Sequence, residues 1–137
     1  MRIVIFFLFF FLFHTVCAQE CYPDKKRDKR AVKRIEKLIE KGERAYYDAI
    51  DILQNTNKAA IFSVLKSEIF WRRGEFFNAE TQALKAIDIC PSNFPRAYYF
   101  LGEIAYKRKD YVNADIYLEK AIDLQIEDPY YSDAIMF

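Results

Sequence analysis

Acid–base, metal or nucleophilic chemistry near neutral pH calls first on histidine and cysteine, and this chain has few of either. Its one histidine is His14, and its cysteines are Cys17, Cys21 and Cys90. His14 and Cys17 both fall in a segment that looks destined for removal. Arg2 gives a short positive start, and Ile3 to Phe13 is an unbroken apolar run of eleven residues. Val16-Cys17-Ala18 then puts small or β-branched residues at −3 and −1 before Gln19. That is the layout of a secretory signal peptide over residues 1–18. A membrane-spanning helix needs about 20 apolar residues, so an uncleaved anchor fits less well. Lipidation at Cys17 would want a leucine and small residues where His14-Thr15-Val16 stand.

Taking 18 residues from 137 leaves 119 without a histidine. Histidine-based acid–base, triad and metal chemistry is then closed. Two cysteines, Cys21 and Cys90, cannot build a structural zinc site within one chain. An oxidising compartment would permit a Cys21–Cys90 disulfide. Two unpaired thiols, or Cys21 pairing with another chain, fit the sequence as well. No glycine-rich phosphate loop, serine nucleophile motif or closely spaced cysteine pair is present. The expectation is a protein that is not an enzyme, with no cofactor and no small-molecule substrate.

With Arg2 removed, 20 basic side chains face 20 acidic ones, and this balance gives no reason to expect nucleic acid as a partner. Charge is uneven locally. Lys25 to Arg34 holds seven basic residues and one acid, Asp28. Such a run is either a contact for a polyanion or membrane, or the solvated start of a helix. Val32, Ile35, Leu38 and Ile39 recur at helical spacing and favour the second.

Few residues interrupt the chain. Glycine stands only at 42, 74 and 102, and proline after Pro23 only at 91, 95 and 129. No stretch alternates with period two between hairpin turns. Helices joined by short turns follow, so the expected fold class is all-α. Residues 19–24 are a polar linker, and 25–137 form one helical domain.

The chain repeats itself. Shifted by 35 residues, Ser67–Ile89 falls on Gly102–Leu124, with nine identities in 23 positions. They are Glu68/Glu103, Ile69/Ile104, Arg73/Arg108, Asn78/Asn113, Ala79/Ala114, Lys85/Lys120, Ala86/Ala121, Ile87/Ile122 and Asp88/Asp123. Leu101-Gly102, Asp110-Tyr111, Ala114, Leu118 and Ala121-Ile122 in one copy resemble the tetratricopeptide repeat. Gly74-Glu75-Phe76, Ala79, Ala86-Ile87 and Pro91 do so in the other. Lys66, Ala83 and Lys109 depart from the family pattern, the last where glycine is common.

This resemblance implies antiparallel helix pairs stacked as a short right-handed superhelix. A single pair cannot bury its apolar face and needs its neighbour. The repeats would cover about 60–91 and 95–128. Ala-Ile-Asp plus an aliphatic recurs at 49–52, 86–89 and 121–124, which suggests a degenerate pair over 25–54. One long helix bent near Gly42 is the equal alternative. Pro129 to Ser132 would lead into a further helix over 131–137. That helix would be an uncapped apolar end, expected where a longer protein continues or a partner packs.

The resemblance also places function. The first helix of each pair lines a concave face, here with Val64, Glu68, Trp71 and Arg72, then Tyr99, Glu103, Tyr106 and Lys107. Each copy offers an acid, an aromatic and a base in the same order, a set that suits a peptide or a partner protein. Taken alone, Glu68–Arg72 and Glu103–Lys107 are ordinary i, i+4 surface pairs, worth about 0.2–0.5 kcal/mol each. Trp71 and Tyr106 equally suit half-buried packing. The tyrosine pairs at 46–47, 98–99 and 130–131 have the spacing of core plus rim. The expected role is an interaction scaffold in the periplasm or at the outer membrane, within an envelope complex. The alternative is a spacer module of a longer outer-membrane or peptidoglycan-associated protein.

Overall fold

The computed structural model describes residues 21–125. The signal segment 1–18, the first two linker residues, 19 and 20, and the further helix over 131–137 lie outside these residues. Six α-helices follow one another: α1 (Lys26–Glu40), α2 (Tyr46–Gln54), α3 (Ala60–Arg72), α4 (Phe76–Ile89), α5 (Pro95–Lys107) and α6 (Tyr111–Asp123). Among the described residues there is no strand. The helices pack as pairs, α1 with α2, α3 with α4 and α5 with α6, and each pair packs on the next. The fold is all-α, of the helix-pair repeat kind.

The first pair occupies the segment where one bent helix was the alternative. The break falls after Lys41, at Gly42 with φ +91°, followed by a 3-10 turn over Glu43–Ala45. Ile35 and Ile39 of α1 meet Tyr46, Ala49 and Leu53 of α2, and both helices rest on Phe62, Leu65 and Ile69 of α3.

The turns inside the second and third pairs are copies. Arg73, Gly74 and Glu75 donate their backbone N–H groups to the carbonyls of Ile69, Trp71 and Phe70. Arg108, Lys109 and Asp110, 35 residues on, donate to Ile104, Tyr106 and Ala105. This is the Schellman closure, which needs one left-handed residue. Gly74 supplies it at φ +76°, and Lys109 supplies it at φ +64° despite its side chain. Glu75 and Asp110 are the N-caps of the following helices; the Asp110 carboxylate also accepts from the Asn113 N–H at 3.3 Å. Hydrogen bonds from Asn113 hold that carboxyl below its ordinary range. Pro95 opens α5, where its missing N–H costs no helical bond.

The paired helices cross closely at small residues. Ser67 is fully buried, and its hydroxyl donates to the carbonyl of Ala79 at 2.8 Å. One period later the same crossing is made by Gly102 and Ala114. A Cβ at Gly102 would lie 2.6 Å from Leu118 Cγ and 3.3 Å from the Ala114 carbonyl oxygen.

No pair has a private core. Ala60, Val64, Ala83, Ala86, Ala97 and Leu101 form one cluster across α3, α4 and α5. Tyr98, Tyr99, Phe100, Leu118 and Ala121 form the next, with Trp71 and Ile87 against it. The Tyr98 hydroxyl donates to the Pro91 carbonyl at 2.7 Å. Burial, with Tyr117 nearby, pushes it above the usual phenol range. Cys21 joins the first of these clusters and is disulfide-bonded to Cys90 at the end of α4, across a sequence separation of 69.

Two outcomes follow. Gly102→Ala gains about 1 kcal/mol in helix propensity. It loses about 1–3 kcal/mol by overpacking. The expected net is a fall in melting temperature of roughly 5 °C, read by circular dichroism; a rise would mean that Leu118 moves aside freely. Reducing the disulfide, or Cys90→Ser, is expected to cost about 4 kcal/mol through the reopened loop, read from urea unfolding.

Candidate partner-binding face

α3 and α5 are the inner helices. Each has eight buried residues, against three in each of α4 and α6. A helix apolar on every side is one with neighbours on every side, and α3 is of that kind, lying against α1, α2, α4 and α5.

This packing decides where the expected face residues sit. Val64 and Tyr99 are each only 2% exposed and belong to the core clusters. Glu68 is buried as well, at 3%. Three of the eight residues expected on the concave face, Val64, Glu68 and Tyr99, are therefore buried between helices. Trp71 is half-buried, with its ring edge-on to Tyr99 at 6.0 Å and tilted on Phe100 at 5.1 Å. Its indole N–H is buried and finds no acceptor. Glu103 is half-buried, while Arg72, Tyr106 and Lys107 are exposed. Tyr106 packs edge-on to Tyr111 at 5.5 Å, and the Lys107 ammonium lies 5.6 Å from the Phe76 ring centre.

The two acid–aromatic–base trios differ in setting. Glu68 Oε1 accepts from Arg72 Nε at 3.0 Å and Nη2 at 2.9 Å. Glu68 Oε2 accepts from Arg96 Nη1 at 3.0 Å. One buried carboxylate thus ties α3 to α5, which is more than an i, i+4 surface pair. Glu103 is half-buried and lies 3.8 Å from the Lys107 ammonium. The position one period after Arg96 is Tyr131, outside the described residues.

Arg96 is the partner that sequence reasoning missed. It stands 28 residues after Glu68, which is one repeat less two helical turns. A base at that offset from an inner-helix acid is the signal that would have found it. A second tie has the same offset: Arg108 Nη1 donates to Glu80 Oε1 at 2.8 Å.

Among the described residues no group of three or more histidine, cysteine or acidic side chains could hold a metal ion. None of their helices is long and apolar enough to cross a membrane. Comparison with family models, with curated proteins and with solved structures returns no match in any of the three.

Glu68→Gln is expected to cost about 2 kcal/mol, the scale of hydrogen bonds to a charged group. Glu80→Gln, at the exposed tie with Arg108, is expected to cost under about 1 kcal/mol. Urea midpoints of the two variants check the difference, and equal losses would remove the special standing of Glu68.

Proposed function

We propose that this chain is an exported, non-catalytic scaffold of the tetratricopeptide kind, which holds a peptide or partner protein on the face formed by α3 and α5. The observation that carries this is the turn hydrogen bonding that recurs residue for residue after 35 positions, with small residues at both crossings. Arrays built that way present their inner helices side by side as one binding surface. The outer ends of these helices offer Arg72, Tyr106 and Lys107, residue types suited to anchoring a partner. The apolar run ahead of Gln19 and the joined Cys21 and Cys90 both suit an oxidising compartment such as the periplasm or the outer-membrane face.

The test avoids Trp71, whose removal would open the core. Crosslinking in the native envelope with mass spectrometry first identifies the bound segment, and a labelled synthetic copy is then titrated. Tyr106→Ala with Lys107→Ala is expected to weaken binding about tenfold or more, with the unfolding midpoint nearly unchanged. Unaltered affinity in that variant would refute the face, and a spacer module would remain.

A further inference from the structure

The basic run at the start of α1 is more ordered than a solvated helix end. Lys26, Arg30 and Arg34 fall at i, i+4 and i+8, and all three line one groove of about 470 Å³ between α1 and the end of α2. Ala31 and Ile52 give it apolar lining, and the acids Asp28 and Asp51 line it too. Among the described residues none of the three cations makes an ion pair. Arg27 lines the groove as well, but its Nε lies 3.4 Å from Oδ1 of the buried Asp28.

The dipole of α1 does not ask for cations there. The N-terminus of a helix carries partial positive charge and favours acids. The carboxyl end of α2, across the groove, is already closed by its own residues. Asn55 Nδ2 donates to the Asp51 carbonyl, and Thr56 Oγ1 to the Leu53 carbonyl. Lys26, Arg30 and Arg34 thus stand in a line with no ion pair among the described residues, and outnumber the one exposed carboxylate of the groove, Asp51.

We infer that this groove binds an extended acidic polypeptide segment carrying a carboxylate at every second residue. The spacing supports that occupant. Residues i and i+4 of a helix are separated by about 6 Å along its axis, and alternate residues of an extended chain by about 6.7 Å. Long lysine and arginine side chains absorb the difference over three contacts. A nucleic acid strand would want aromatic platforms for its bases, and no aromatic residue lines the groove. A membrane surface would need a projecting patch, and this one recedes. The site is separate from the α3–α5 face and does not depend on the function proposed for it.

Fluorescence anisotropy with a labelled ten-residue peptide of alternating glutamate and threonine tests the idea on the purified chain. Saturable binding that weakens with added salt is expected. Arg30→Ala with Arg34→Ala should weaken it about tenfold. Alanine is the best helix former, so the helix is retained. Lys29→Ala with Lys33→Ala removes the same charge from exposed sites off the groove and should change affinity by about twofold at most. Tyr106→Ala with Lys107→Ala should leave it unchanged. Equal losses in the two basic doubles would show that net charge alone acts, and overturn the site. So would equal binding of a peptide with its glutamates in one block. Displacement of the peptide by oligothymidine or by anionic phosphatidylglycerol vesicles at lower concentration would replace the occupant with nucleic acid or membrane.

Discussion

The distance between paired helices where they cross governs this molecule. At Ser67 and Ala79, and again at Gly102 and Ala114, one helix lies almost against the backbone of the next. Side chains larger than these would hold the helices apart. The turn that joins them would then need more residues, and the shared clusters beneath would lose their fit. Because the second and third pairs have the same crossing and the same turn, α3 and α5 stand in equivalent settings one period apart. The tie from Arg96 to Glu68 depends on that placement, since its 28-residue offset works only at one relative position of the two helices.

The trios show how identical local sequence acquires different physics. Glu68 and Glu103 are each followed by an aromatic and a base at the same intervals. Glu68 is buried and takes three N–H donors from two arginines, whereas Glu103 is half-buried and stands 3.8 Å from the Lys107 ammonium. Repetition copies the backbone and the small residues faithfully, but each copy's neighbours decide how deeply its carboxylate is buried and what it meets.

The repeat register was legible because its determinants are local: a left-handed residue after one helix, and small residues at fixed intervals. Lys109 hid part of that by standing in a left-handed position without being glycine. The division of the first segment was less legible, because only Gly42 marked it and the apolar spacing of α1 runs to Ile39. The burial of Val64 and Tyr99 escaped for another reason. Sequence periodicity shows that a helix has an apolar side, not how many neighbours surround it. The Cys21–Cys90 pairing and the Glu68–Arg96 tie depend on distances across 69 and 28 residues, which no local pattern contains.

The disulfide also sets how the molecule would carry a mechanical load. It closes α1 to α4 into one covalent ring, entered and left at the two cysteines. Tension applied from the N-terminal side of Cys21 passes through the sulfur bridge to Cys90. The four helices within the ring are spared the pull, and among the described helices α5 and α6 lie in the line of force. A tether fixed upstream of Cys21 would therefore stretch the C-terminal pair while the first two pairs kept their shape.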